Sequence, residues 1–243
     1  MVIPPLRQPG EALRLALVIA LASLHAILGV TATAEKSMTS DEIAHLTAGH
    51  AYNTRGDFRL QPENGNLPQR LAALPHALAG DPLPPPDRAD WKGAEVWRYG
   101  HAFFYQSGLP VEERLFQARA VMSIVSAATG LLVFFWSRAL FGPAGGFISL
   151  GLLVFCPAFL AHGPLATSDM TMTLLLLAAV GAWWRHLRTP GIAGALLSAA
   201  VCGLAFIAKF SAVLLVPMLG LLGVVWGWDQ LRSGKGRAAW RRL

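Results

Sequence analysis

The sequence predicts an all-α polytopic membrane protein of about six transmembrane helices, with a long first outer loop that carries two amphipathic juxtamembrane helices. Three observations lead there. Only 14% of the 243 residues are charged, where a soluble domain carries about 25%. Apolar residues make up 54% and mean hydropathy is +0.46, too little polar surface to cover a globule. The basic residues fall between apolar runs, so the formal charge of +6 describes membrane topology rather than a nucleic-acid groove. A soluble enzyme, a disordered chain and a disulfide-stapled secreted domain are excluded on the same grounds.

The first apolar run, Leu13–Thr33, has the roughly 20 residues that one crossing needs. Ala32-Thr33-Ala34 resembles a signal-peptidase site, but Arg14 and His25 interrupt the run and its length suits an uncleaved anchor. Residues 35–118 follow as the outer loop. Thr39 with Glu42 three residues later forms a capping box for a helix through Tyr52, on which Asp41, His45 and Gly49 share a face. A second helical segment opens at Leu67-Pro68 and repeats Leu67, Leu71, Leu74 and Leu78. Pro75 kinks it and Gly80 ends it. Asp81 to Pro86 is a stiff connector. Trp91, Trp97, Tyr99, Phe103, Phe104 and Tyr105 read as an interfacial belt in preference to a sugar-stacking wall.

The remaining runs are Arg119–Leu140, Gly145–Leu160, Met170–Trp184, Ile192–Ala208 and Ser211–Trp228. Residues 192–228 as one helix would be about 55 Å long, too long for one bilayer, so the run divides at Lys209. Cys156 and Cys202 fall inside runs and read as packing residues. With both ends inside, the inner segments carry Arg7, Arg14, Arg138, Arg185, Arg188, Arg232, Lys235, Arg237, Arg241 and Arg242 against Glu11 and Asp229. The outer loop instead holds most of the acids. This asymmetry predicts a multi-pass cell-membrane protein with cytoplasmic termini and its site on the outer face.

Acids near hydrocarbon mark sites. Asp41, Glu42, Glu63 and Asp169 all stand at the outer ends of spans. Helix capping accounts for Asp41-Glu42 or for Asp169 taken singly; two such motifs on one membrane face, with Glu63 between them, are harder to explain as caps. Arg119 and Lys209 lie at the same level, where snorkelling to headgroups is the plain reading of each and a phosphate clamp the functional one. Carboxylates beside an Arg/Lys pair suit transfer of a group from a lipid phosphate: a carboxylate takes the acceptor proton and the cations stabilise the departing phosphate.

The ordered set Asp41-Glu42-Ile43-Ala44-His45-Leu46, Gly56-Asp57-Phe58-Arg59-Leu60-Gln61-Pro62-Glu63, Ala118-Arg119, Cys156-Pro157, Leu160-Ala161-His162-Gly163, Ala166-Thr167-Ser168-Asp169 and Lys209-Phe210-Ser211 resembles the GT-C membrane glycosyltransferases. The nearest match is the protein O-mannosyltransferase and aminoarabinose-transferase superfamily, whose donors are polyprenyl-phosphate sugars. The resemblance implies a GT-C-like core in one membrane domain over 1–243, corresponding to the N-terminal half of such an enzyme. It implies Asp41 as catalytic base, with Glu42 and Asp169 in the catalytic set. Arg119 would bind the donor phosphate, joined by Lys209 on the clamp reading above rather than on the resemblance, and Glu63 and His162 would serve substrate or metal. Glu63-Asn64-Gly65-Asn66-Leu67 lacks the His and prolines of the corresponding family motif, which weakens the role of Glu63. A divalent metal is left open as cofactor. The partners implied are a polyprenyl-phosphate-linked sugar, the lipid bilayer and an acceptor of unknown class, with no nucleic acid. The rival reading is a non-catalytic membrane module that assembles with a second chain.

Overall fold

A computed structural model describes residues 9–233, and among them the chain is helical with no strand. Helix α1 (Pro9–Thr33) is followed by four short helices and one longer one in the segment that precedes the bundle. These are α2 (Ser40–Arg55), α3 (Asn66–Ala72), α4 (Leu74–Ala79), α5 (Ala89–Lys92) and α6 (Val96–Tyr105). Then come α7 (Val111–Val154), α8 (Pro157–His162), α9 (Asp169–Arg188), α10 (Ile192–Phe206), a 3-10 turn (Phe210–Leu214) and α11 (Leu215–Arg232). Arg7, Lys235, Arg237, Arg241 and Arg242, counted above in the charge asymmetry, lie outside the described residues.

Among the described residues, three helical stretches are long and apolar enough to cross a membrane: Gly10–Thr33, Val111–Val154 and Phe210–Arg232; Ile192–Phe206 is apolar but shorter. Large apolar side chains point outward along them, among them Ile27, Ile124, Ile192, Leu221 and Val224, as a lipid-facing surface requires. The 44 residues of α7 would span about 66 Å if straight. They do not, because Gly142 takes φ 76° and ψ −177°, and Pro143 follows it. The two arms fold back on each other. Gly146 sits against Phe134 and Arg138, and Gly130 sits against Leu150 and Leu153. A residue with a Cβ would be strained at that φ.

One sequence expectation changes in detail and another is met. The run expected to continue to Leu160 ends at Val154, because Pro157 lacks an N–H and biases Cys156 to an extended backbone (φ −69°, ψ 118°); α8 then starts afresh. The break at Lys209 falls where bilayer thickness demanded it, with Lys209 itself extended (φ −162°, ψ 147°).

The segment between α1 and α7 is packed into the protein. Leu46, Ala72, Ala73, Phe103 and Phe104 share one core with Leu115, Ala118 and Met122 of α7 and with Ala166 and Met170. Helix α2 is buried without a break from Ala44 to Tyr52, so it is an interior helix rather than one lying half-wet on a surface. The second helical segment divides at Ala73, just before Pro75, and ends at Gly80 with φ 72°. Of the six aromatics expected as a belt, Trp91, Tyr99, Phe103 and Phe104 are core residues, and only Trp97 and Tyr105 stay exposed.

Below this cap, α1 packs along both arms of α7 through Val18, Phe134, Leu150 and Val154. His25, which interrupts the first apolar run, bridges them: Nδ1 meets the Val154 carbonyl at 3.1 Å and Nε2 meets Ser126 Oγ at 2.8 Å. Both ring nitrogens are used, so this intramembrane histidine is a clamp.

Candidate active site

One end of the bundle gathers the last turn of α1 and the first turns of α2, α7, α9 and the 3-10 turn. Of the acids and cations singled out from sequence, all but Glu63 converge there, in two different states. Glu42 and Arg119 are interior, at 0% and 1% exposure. Asp41, Asp169 and Lys209 reach solvent.

Glu42 is the third residue of α2, and the capping box supplies its first bonds: Thr39 donates its backbone N–H at 2.9 Å and its hydroxyl at 3.1 Å. Arg119 donates Nε at 2.9 Å and Nη2 at 2.7 Å to the same carboxylate, and the Ala166 N–H donates at 3.2 Å. Burial would push this carboxyl's pKa up; the guanidinium and the backbone donors outweigh it and hold the pKa below the usual range. The rest of the Arg119 fork is spent on the carbonyls of Thr33 at 2.6 Å, Lys36 at 2.9 Å and Ser37 at 3.0 Å. All five guanidinium donors are therefore committed inside the chain. In this geometry Arg119 has no N–H left for a donor phosphate. It fastens the end of α1 and the following turn to α2.

Asp41, one residue earlier, projects from the same first turn into solvent. One turn on, His45 is 4% exposed. Its ring lies beside the Ala166 carbonyl and feels the charges of Asp41, Asp169 and Lys209. Burial pushes the imidazole pKa down, against the opposing pull of Asp41, so the ring is held neutral. Its Nδ1 is buried without a partner. Asp169 opens α9 and is ion-paired with Lys209 from the turn forty residues later. The sequence reading placed His45 on the Asp41 face without giving it a role; its spacing of four residues from Asp41 was the available signal.

Lys209 is positioned from below by a close backbone approach. The Leu67 N–H donates to the Ile207 carbonyl at 3.1 Å, and a Cβ on Gly65 would lie 2.3 Å from Ala208 C. The Glu63-to-Leu67 loop thus braces the Lys209 turn. Glu63 itself is exposed, as is His162. Among the described residues neither makes a side-chain hydrogen bond or ion pair, and neither joins the cluster. Among those residues, too, no group of three or more His, Cys, Asp or Glu is placed to hold a metal ion.

A second polar cluster lies behind the cap. His50, His76 and Arg114 surround Asp81: His76 Nδ1 is 3.3 Å and Arg114 Nε 2.9 Å from Asp81 Oδ2, and His50 Nε2 meets the Asp81 carbonyl at 2.8 Å. Arg114 also covers the Phe103 ring at 3.8 Å. Burial, and then the Arg114 charge, bring the His76 pKa down to about 4. This cluster pins the start of the proline-rich connector.

The arrangement offers an accessible carboxylate, a neutral imidazole and a solvent-reaching ammonium, all supported by an interior ion pair. Among known proteins, a family model described as dolichyl-phosphate-mannose-protein mannosyltransferase matches residues 100–235, more than half of the chain. The matched region includes Arg119, His162, Asp169 and Lys209; Asp41, Glu42, His45 and Glu63 precede it. No curated protein and no solved structure matches the chain.

Proposed function

Given that the chain belongs to the dolichyl-phosphate-mannose-protein mannosyltransferase family, we propose that it moves a sugar from a polyprenyl-phosphate donor to an acceptor hydroxyl on the outer face of the membrane. The observation that carries this reading is the meeting of Asp41, His45 and the Asp169–Lys209 pair from three distant stretches of sequence. Asp41 takes the proton of the acceptor hydroxyl, whose oxygen forms the new bond to the anomeric carbon. The bond from that carbon to the phosphate oxygen breaks, and the phosphate leaves with its charge met by Lys209. Attack opposite the leaving phosphate inverts the anomeric centre. Asp169 keeps Lys209 extended toward the opening until the donor phosphate competes for it. Glu42 and Arg119 act as positioning residues.

The test is sugar release from a radiolabelled short-chain polyprenyl-phosphate sugar by the purified full chain. Asp41→Asn should leave the protein inserted and cut turnover by about 10² or more, the scale of losing a general base. Lys209→Ala should mainly raise KM for the donor, by roughly 10-fold or more, the cost of a lost charge-assisted contact. Full turnover by Asp41→Asn would remove it as the base. No turnover and no saturable donor binding by the unmutated chain would sink the transferase reading.

A further inference from the structure

We propose that the outer segment carries a separate saccharide-binding subsite between α5 and α6, which takes the hydroxyl-rich part of a neutral glycan acceptor; its acceptor role rests on the transferase reading above. A cavity of about 480 Å³ opens there, lined by Arg88, Ala89, Asp90, Arg98, His101 and Gln106. That volume lies within the range of small-ligand sites, about 300–1,000 Å³.

The cavity is built on a fixed base. Asp90 is 9% exposed; Arg88 grips it through Nε at 3.0 Å and Nη2 at 2.8 Å, and its Oδ1 accepts the Trp91 N–H at 2.9 Å. The wall is the solvent face of α6, where Trp97, Arg98, His101 and Tyr105 are exposed while Tyr99, Gly100, Ala102, Phe103 and Phe104 are buried. The His101 ring lines the cavity, and the exposed Tyr105 ring lies 5.0 Å from it, tilted by 37°.

Charge selects the ligand class. Each guanidinium of the cavity already has its own carboxylate: Arg88 has Asp90 at 2.8 Å, and Arg98 has Glu95 at 3.2 Å. No cation is left uncompensated to draw a phosphate. What remains is a mixed set of directional donors and acceptors, Arg, Asp, Gln and His, beside aromatic faces. A sugar hydroxyl both donates and accepts, and a sugar ring stacks on aromatics through its C–H face.

Helix α6 connects this subsite to the catalytic helix. A Cβ on Gly100 would lie 2.6 Å from Ile43 Cγ2 and 2.8 Å from Thr47 Oγ1, so α6 rests on the side of α2 that carries Ile43 and Thr47. Asp41 and His45 lie on a different face of α2. The subsite and the acid cluster therefore share a helix without sharing residues, an arrangement suited to an acceptor of several sugar units.

The experiment is saturation-transfer NMR and calorimetry on the purified full chain. Neutral tetrasaccharides of mannose, glucose and N-acetylglucosamine are titrated in parallel with inorganic phosphate. At least one neutral tetrasaccharide should bind saturably and phosphate should not. The double variant Arg98→Ala, His101→Ala, both exposed side chains, should weaken that binding 10-fold or more with an unchanged circular-dichroism spectrum. Gln106→Ala should weaken it less. Absence of saturable binding by every neutral tetrasaccharide, phosphate binding in their place, or equal binding by the double variant would each overturn the subsite. Donor turnover with no oligosaccharide binding would reject this inference and leave the transferase reading standing.

Discussion

Glu42 shows how far burial can change the meaning of a residue. As a capping acid at the start of a helix it would tolerate Gln well, and its place in the catalytic set expected from sequence says nothing of a buried partner. In the structure it is the counter-charge of an arginine that water does not reach. Glu42→Gln should therefore be worse than a capping loss, because it strands the Arg119 charge in the interior; breaking a buried pair this way costs about 3–5 kcal/mol. Arg119→Lys should be nearly as damaging, since an ammonium has three donors where five acceptors wait. Both should appear as loss of folded protein in a detergent thermal-unfolding assay. A variant with normal stability and weakened donor binding would instead restore Arg119 to the phosphate site. His76 supplies a pH-dependent counterpart. Its folded pKa of about 4 lies below the unfolded value near 6.5, so the folded state binds the proton less readily. Its contribution is intact above about pH 6.5 and is lost as pH falls toward 4. Thermal unfolding should show Tm dropping across that window, and dropping less in His76→Asn.

The helices are held at the site by close backbone approaches. A Cβ at Gly49 would lie 2.0 Å from the Gln69 carbonyl oxygen, and one at Gly65 would meet Ala208. Neither neighbour is a side chain able to swing away. Gly49→Ala should push α3 off α2, and Gly65→Ala should displace the Lys209 turn. Gly65→Ala is expected to raise donor KM as Lys209→Ala does while keeping Lys209 itself. Unchanged kinetics in Gly65→Ala would mean that the loop does not brace the turn. Gly181 is the contrasting case, since its neighbour is the Trp136 side chain at 1.8 Å from a built Cβ. A bulky indole there has little room to move, so Gly181→Ala should destabilise the packing of α9 on α7 without a specific kinetic signature.

Across the molecule, the helices were legible wherever hydropathy or capping chemistry alone decides them: the first run, the capping box, the stop at Gly80 and the break at Lys209. What could not be read was which acids would be wet. Asp41 and Glu42 are adjacent and chemically alike, yet one faces solvent and the other faces Arg119 across 77 residues of sequence. Helical periodicity assigns them to different faces but does not say what covers each face. The aromatic stretch misled for a related reason: Tyr99, Phe103 and Phe104 turn inward because α2 lies beneath α6, and only tertiary packing supplies α2. Charge placement predicts an orientation, and that prediction has a direct test. Cysteine at the exposed position Asp87 should label with an impermeant thiol reagent in intact cells, and cysteine at the exposed position Thr189 should not. The opposite pattern would put the acid cluster on the cytoplasmic face.

The Arg119 fork also sets an order of events during synthesis. Glu42 leaves the ribosome 77 residues before Arg119 and 124 residues before Ala166. Until those arrive, the carboxylate has only the Thr39 bonds of its own helix, and the cap has no floor. The latch between α1, α2 and α7 can close only after Arg119 has emerged, and Lys209 reaches Asp169 later still. The acid cluster can therefore be complete only once Lys209 has emerged, with α11 still to follow. A stall after the first span would leave the Glu42 carboxylate without its Arg119 partner.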